Sequence, residues 1–271
     1  MVEIPISKSG VSALEIAKQA AIQVGLLVVD KFHSKHTQVR FKSKGNPVTN
    51  VDHEAEKLAI SVLRDGFPTF CYLGEESSNG EKITEKPTWI IDPIDGTRNF
   101  VAGIPFFSIV IGLAIDGKMI LGINYDPIRK EIFWAIRGKG AFLGQDQLSV
   151  STKTSLESCL IGFDLSYNDN GALNSLKVIE HIWPEMQTAR IMGSSALGIS
   201  YVAAGRLDLY FHHKLSPWDI AAGILLVDEA GGVISDRHGK SADLYPDGII
   251  ASNPILHKKF IERTVNLEWR W

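Results

Sequence analysis

The chain has 271 residues, 45% of them hydrophobic, and a formal net charge of −3. That length and composition support a sizeable folded core, as one large domain or two packed together, and exclude a disordered chain. Acids and bases are mixed along the sequence, with no basic stripe and no acidic tail, so a small ligand is expected, and neither nucleic acid nor a membrane.

In chain order, MVEIPISKSG lacks an apolar stretch of signal-peptide length, and the apolar run at 220–227 is too short for a bilayer, so a cytoplasmic protein is expected. Across 12–32, Leu14, Ala17, Ala21, Val24, Leu27 and Val28 recur at helical spacing, and Ser12 followed by Glu15 is a capping-box pattern. KSKGNPVTN breaks this helix at Gly45 and Pro47, and a second is predicted over about 52–65. Short apolar runs at 69–73 and 88–91 read as strands. A hairpin is predicted from 107–115 and 119–125 around Asp116-Gly117, followed by strands at 131–136 and 141–150.

Beyond residue 150, strand and helix alternate: strands at 159–163, 188–191 and 207–211, and helices at 172–182, 195–204 and 220–229. Strands at 233–235 and 249–251 and a helix at 254–265 close the chain. The expected organisation is an α+β half, 1–150, followed by an α/β half, 151–271, packed as one unit. Cys71 and Cys159 belong to no Cys/His spacing, which argues against zinc and against a disulfide framework.

The chemistry concentrates in three acidic segments. In WIIDPIDGTRNF an apolar strand runs into Asp92 and Asp95, which a turn can aim at one point; two close carboxylates repel unless a cation sits between them. The same letters also suit an ordinary Asp-Gly turn before a helix. Glu75 follows a strand in LGEESS, where a solvated turn is the plain alternative, and Asp219 opens the apolar helix of SPWDIAAGILLVDEAGG, where a carboxylate also favours the helix dipole.

Each of the three lies at a strand exit or a helix mouth, where ligands collect in open α/β sheets. Glu75, Asp92, Asp95 and Asp219 would form an all-oxygen set suited to Mg²⁺, with Mn²⁺ as a substitute. Mg²⁺ usually shares its shell with a phosphate, for which the Gly96 and Thr97 N–H groups are candidate anchors. The predicted chemistry is phosphate ester hydrolysis by metal-activated water. Aspartyl-phosphate phosphatases carry DxDGT, whereas DPIDGT sets its aspartates three apart, so direct attack by water is favoured over a covalent intermediate.

GEES, WIIDPIDGTRNF and WDIAAGILLVDEAGG resemble, in order and spacing, the signature segments of the inositol monophosphatase family. The likeness extends from KSKGNPVTNVD through GSSALGISYVAAGRLD to the C-terminal strands. It implies a layered αβαβα sandwich of the inositol monophosphatase and fructose-1,6-bisphosphatase type, a homodimer, and inhibition by Li⁺. By the same resemblance Glu75, Asp92 and the Ile94 carbonyl bind one Mg²⁺, and Asp92, Asp95 and Asp219 bind another, of two or three in all. Glu75 and Thr97 activate the nucleophilic water, Asp52 orients the Thr97 hydroxyl, and Lys42 or Lys44 lies on a loop over the metals.

GSSAL is similar to the family's substrate-facing helix start, so Gly193, Ser194 and Ser195 either contact substrate or simply cap a helix. Two departures bear on specificity. His212 stands where an acidic residue is expected in enzymes dedicated to myo-inositol phosphates; neutral, it offers one donor and one acceptor, and charged, it favours a second anionic group. Ala102 replaces a polar residue at the rim. His212 and His213 face opposite sides of a strand, so one of them at most reaches the site, and the other histidines, His33, His36, His53, His181, His238 and His257, are expected on the surface. The expected activity is hydrolysis of inositol monophosphates. Fructose 1,6-bisphosphate, a 3′-phosphorylated adenosine nucleotide and histidinol phosphate are alternative substrates, and a non-catalytic metal- and phosphate-binding regulator is the alternative of another class.

Overall fold

The computed structural model describes residues 3–34, 38–43, 46–80 and 82–271. Helix α1 (Ala13–Phe32) starts where the Ser12 side chain accepts the Glu15 N–H, and it buries a stripe of small residues, Ala13, Ala17, Ala20, Ala21 and Gly25, with Ile16, Val24 and Val28. Where the sequence shows only a helix break, β1 (Val39–Ser43) and β2 (Asn46–Thr49) pair as an antiparallel hairpin. Lys44, Gly45 and His36 lie outside the described residues. Helix α2 (Asn50–Gly66) begins two residues before the predicted start at 52, because Thr49 and Asp52 form a capping box.

The larger sheet runs in sequence order: β3 (Cys71–Gly74), β4 (Thr88–Asp95), β5 (Ser108–Ile115), β6 (Lys118–Asp126), β7 (Glu131–Ile136), β8 (Gly140–Leu143) and β9 (Asp146–Gln147). Only its β3–β4 pair is parallel. Two boundaries differ from the sequence reading. The stretch expected as one strand at 141–150 is split, because Gly144, at φ 60°, turns β8 back onto β9. Strand β4 runs through Asp92 to Asp95 instead of ending at Ile91, with its pairing to β5 shifted between those two aspartates. That shift is a bulge, and a bulge re-aims side chains without ending the strand.

After the short helix α3 (Thr97–Ala102) and the larger sheet come β10 (Leu160–Phe163), α4 (Asp169–Ile182), β11 (Thr188–Ile191), α5 (Ser195–Ala203) and β12 (Leu209–His212). Helix α6 (Pro217–Glu229), β13 (Val233–Ser235), β14 (Ile249–Ser252) and α7 (Pro254–Thr264) follow. The second sheet has the order β11-β10-β12-β14-β13; its first three strands are parallel and β14 is antiparallel to both neighbours.

Three apolar clusters define an αβαβα sandwich. One joins α1 and α2 to one face of the larger sheet. A second fills the space between the sheets with α5 and α6, and a third packs α4 and α7 on the far face of the smaller sheet. Helix α6 is buried continuously from Ile220 to Val227, as a helix apolar on all sides must be. Among the described residues no helix is long and apolar enough to cross a membrane. His257 corrects the surface assignment given to it: it is buried, with Nε2 2.8 Å from the Ser235 Oγ.

Candidate active site

The bulge in β4, the end of β3 and the start of α6 converge on a cavity of about 580 Å³. Glu75, Asp92, Ile94, Asp95, Gly96, Thr97 and Asp219 all line it. Asp92 Oδ1 accepts the Ile94 N–H at 3.0 Å, closing the turn after Pro93. Gly96, at φ 98°, turns the chain from β4 into α3. Asp219 is the third residue of α6, and its Oδ2 accepts the Ser216 N–H at 2.7 Å. One oxygen of Asp219 thus serves the start of its own helix, yet the residue also reaches the cluster: Asp92, Asp95 and Asp219 each offer a carboxylate oxygen, all within 4.8 Å of one another.

Electrostatically this arrangement is costly for the chain alone. Burial, then the charges of Glu75, Asp95 and Asp219, push Asp92 well above the usual carboxylate range. Asp219 is raised for the same reasons, burial first and then Asp95 and Glu75. Burial lifts Asp95 to about 7 against the hydrogen bonds from Ser194 and Ala196. A hard cation removes this conflict, and a buried all-oxygen donor set fits one. Glu75 stands outside the trio but within its field, and its Oε1 is 2.9 Å from the Lys42 Nζ, which also meets Glu76 at 2.7 Å. Burial pulls the Lys42 ammonium down, and the two glutamates outweigh it and hold it above its ordinary value.

Beside the acids, the Thr97 hydroxyl lies 3.2 Å from Asp52 Oδ1 and 3.0 Å from the Ile94 carbonyl. Asp52 is 1% exposed; its Oδ2 accepts both the Thr49 N–H, at 2.8 Å, and the Thr49 hydroxyl, at 2.5 Å. Burial raises Asp52 above its ordinary value despite those bonds. Ser195 faces the cavity, and Gly193 borders it. Ser194 corrects the expectation of a substrate hydroxyl: it is 1% exposed, and its hydroxyl donates to Asp95 Oδ2.

His212 lines the cavity and His213 does not. Burial pushes the His212 imidazole down to about 4, so it is neutral, and its Nδ1 accepts the Lys214 N–H at 3.1 Å. Four ionisable lining residues escaped the sequence reading: Arg98, Asp164, Tyr167 and Lys214. The Arg98 guanidinium stacks on the Tyr167 ring at 4.2 Å. A lone Asp in IGFDLSY carries no motif, so no local signal pointed to Asp164.

The family model for the inositol monophosphatase family matches residues 11–268. The chain belongs to this family. It is 37% identical to inositol monophosphatase 2 of Solanum lycopersicum, over 92% of this chain and 96% of the relative. It is 36% identical to the Nus factor SuhB of Escherichia coli (strain K12), over 92% and 94%. The crystal structure of an extragenic suppressor protein suhB from Bartonella henselae superposes with a TM-score of 0.88 at 36% identity, covering 93% of this chain and 98% of that one. The family is metal-dependent, and the three aspartates form the cluster that suits a metal here.

Proposed function

We propose that the protein is a Mg²⁺-dependent phosphomonoesterase hydrolysing inositol monophosphates. The observation that carries this reading is the meeting of Asp92, Asp95 and Asp219, from segments far apart in sequence, beside the Asp52–Thr97 pair. When bound, Mg²⁺ supplies Lewis-acid charge to phosphoryl oxygens and lowers the pKa of water. Asp92, Asp95 and Asp219, with Glu75 and the Ile94 carbonyl, are the groups that would hold it.

The chain's own residues do the rest. Thr49 pins Asp52 through two bonds to one oxygen, leaving Oδ1 to draw the single proton of the Thr97 hydroxyl away from the Ile94 carbonyl. With its proton donated in that hydrogen bond to Asp52, the Thr97 oxygen presents lone pairs to orient a water for in-line attack. Glu75 takes the proton of that water. Lys42, held by Glu75 and Glu76, limits the negative charge at this side of the cavity. Gly96 and Thr97 N–H groups receive the phosphate. Ser195 and the neutral His212 face the alcohol portion, to which His212 offers one ring nitrogen while its Nδ1 accepts from the Lys214 N–H.

The relatives named as Nus factors are about as similar as those named as phosphatases, so the activity is tested directly. Phosphate release is measured with an inositol monophosphate, fructose 1,6-bisphosphate, a 3′-phosphorylated adenosine nucleotide and histidinol phosphate at millimolar Mg²⁺. The expected order places the inositol ester first, with Li⁺ inhibiting and sedimentation giving a homodimer. Absence of release from all four substrates replaces the enzyme reading with that of a metal- and phosphate-binding regulator.

A further inference from the structure

Asp164 takes no part in the reaction proposed above, yet it is 6% exposed and borders the same cavity. It follows the last residue of β10, where a chain leaving a parallel strand would normally turn outward to solvent. Instead both its oxygens point into the protein. Oδ1 accepts the Gly193 N–H, and Oδ2 accepts the Tyr210 hydroxyl at 2.8 Å from the neighbouring strand β12.

Gly193 is clamped from the other side as well. Its φ is 75°, and a Cβ there would lie 2.6 Å from Asn99 Nδ2, so a side chain at this position would be strained and would displace Asn99. Asn99, from α3, donates to the Phe106 carbonyl at 2.8 Å and to the Met192 carbonyl at 3.1 Å. The next residue, Ser194, donates its hydroxyl to Asp95 Oδ2, and the Ala196 N–H reaches the same oxygen at 3.0 Å. Position is thus passed from Tyr210 and Asp164 on the smaller sheet, through Gly193 and Ser194, to Asp95 on the larger one. With Oδ2 engaged by two donors, the Asp95 carboxylate has its rotation fixed about that oxygen.

We propose that Asp164 is a positioning residue: by holding Gly193 against Tyr210 it sets the Ser194 hydroxyl that orients Asp95 for a divalent cation. The role is geometric. An amide at position 164 still accepts from the Gly193 N–H and can donate to the Tyr210 oxygen, whereas a methyl group does neither. Groups that orient a metal ligand from behind typically change metal affinity about 10- to 100-fold when removed.

The inference rests on the metal assignment of Asp95, and its test reads metal binding without turnover. Mn²⁺ is titrated into metal-free protein and followed by electron paramagnetic resonance, for wild type, Asp164→Ala, Asp164→Asn, Ser194→Ala and Tyr210→Phe, each first shown to be folded by circular dichroism. Expected is a loss of affinity of about tenfold for Asp164→Ala and at least as much for Ser194→Ala. Asp164→Asn stays within about threefold of wild type, and Tyr210→Phe falls between the two. A folded Asp164→Ala protein binding Mn²⁺ as wild type does overturns the proposal; if that variant does not fold, unchanged binding by Tyr210→Phe overturns it. Wild type that binds Mn²⁺ but releases no phosphate refutes the phosphatase reading while leaving this test intact. Wild type that binds no Mn²⁺ refutes the metal assignment and the positioning role together.

Discussion

Asp126 and Asp92 sit on strands of the same sheet, both with side chains withdrawn from solvent, and their surroundings are opposite. Asp126 Oδ2 meets the Arg129 guanidinium at 2.9 Å, and its Oδ1 accepts the Ile128 and Arg129 N–H groups at 3.0 and 2.9 Å. Asp208 is treated likewise: Lys153 Nζ lies at 2.8 Å, the Ser151 hydroxyl at 2.5 Å and the Leu160 N–H at 2.7 Å. Asp92 has the Ile94 N–H on one oxygen, and the charges that act on it most are three further carboxylates. At Asp126 and Asp208 the chain sets a cation of its own beside the buried carboxylate. At the cavity it gathers carboxylates, a set whose repulsion the proposed divalent cation would relieve.

The largest effect expected from this contrast is on turnover. Replacing Asp95 with Asn should lower kcat about 10³-fold while leaving the circular dichroism spectrum unchanged, since several kcal/mol of metal-dependent stabilisation are lost. A variant with near-normal turnover would dissolve the distinction between the two classes of aspartate. Asp208→Ala should do the reverse, costing about 3 kcal/mol of stability, or roughly 6–12 °C in Tm, by taking the shared acceptor from three part-buried donors. Its activity per folded molecule should match wild type, and a loss would show that Asp208 belongs to the site.

Mg²⁺ saturation supplies a smaller effect. At about one hundred times its Kd, the ion should stabilise the protein by about 2.7 kcal/mol, read as a rise in Tm over protein in chelator. The Asp95→Asn protein should lose most of that rise, and the Asp208→Ala protein should keep it.

The smallest effect is a pH slope remote from the cavity. Burial, reinforced by the nearby positive charge of Arg270, pushes His257 down to about 4, whereas an unfolded chain protonates near 6.5. The neutral, buried ring therefore contributes stability above pH 6.5 that is lost as pH falls toward 4, the unfolded state binding the extra proton. His212, also near 4, adds to the same limb. His257→Gln, which retains a partner for Ser235, should flatten the decline by up to one proton. Denaturation midpoints taken between pH 7 and 4.5 would show it, and an unaltered slope would mean the ring already titrates normally.

Local signals account for how much of this was readable beforehand. Helix α1 follows from apolar spacing and the Ser12 cap, and the β5–β6 hairpin from Asp116-Gly117, where both residues take positive φ, 51° and 70°. The β1–β2 hairpin went unread because NPVT is too short and polar to carry a period. His257 was misplaced because helix α7 buries only part of its surface, and a single histidine does not reveal which side it occupies. At the site, Asp92, Asp95 and Asp219 were legible from their two segments and from likeness to the family. Asp164 was not, since its partners Gly193 and Tyr210 are 29 and 46 residues away.

The amino-acid order by itself determined most of the elements, the family and the acidic segments, because periodicity, caps and turn residues act within a few positions of the chain. Only the tertiary structure decided that the Ser194 hydroxyl binds Asp95, that Asp164 holds the Gly193 N–H, and that His212 faces the cavity as a neutral ring. Those outcomes depend on burial and on which donor lies opposite which acceptor across two sheets, and no stretch of sequence contains both partners.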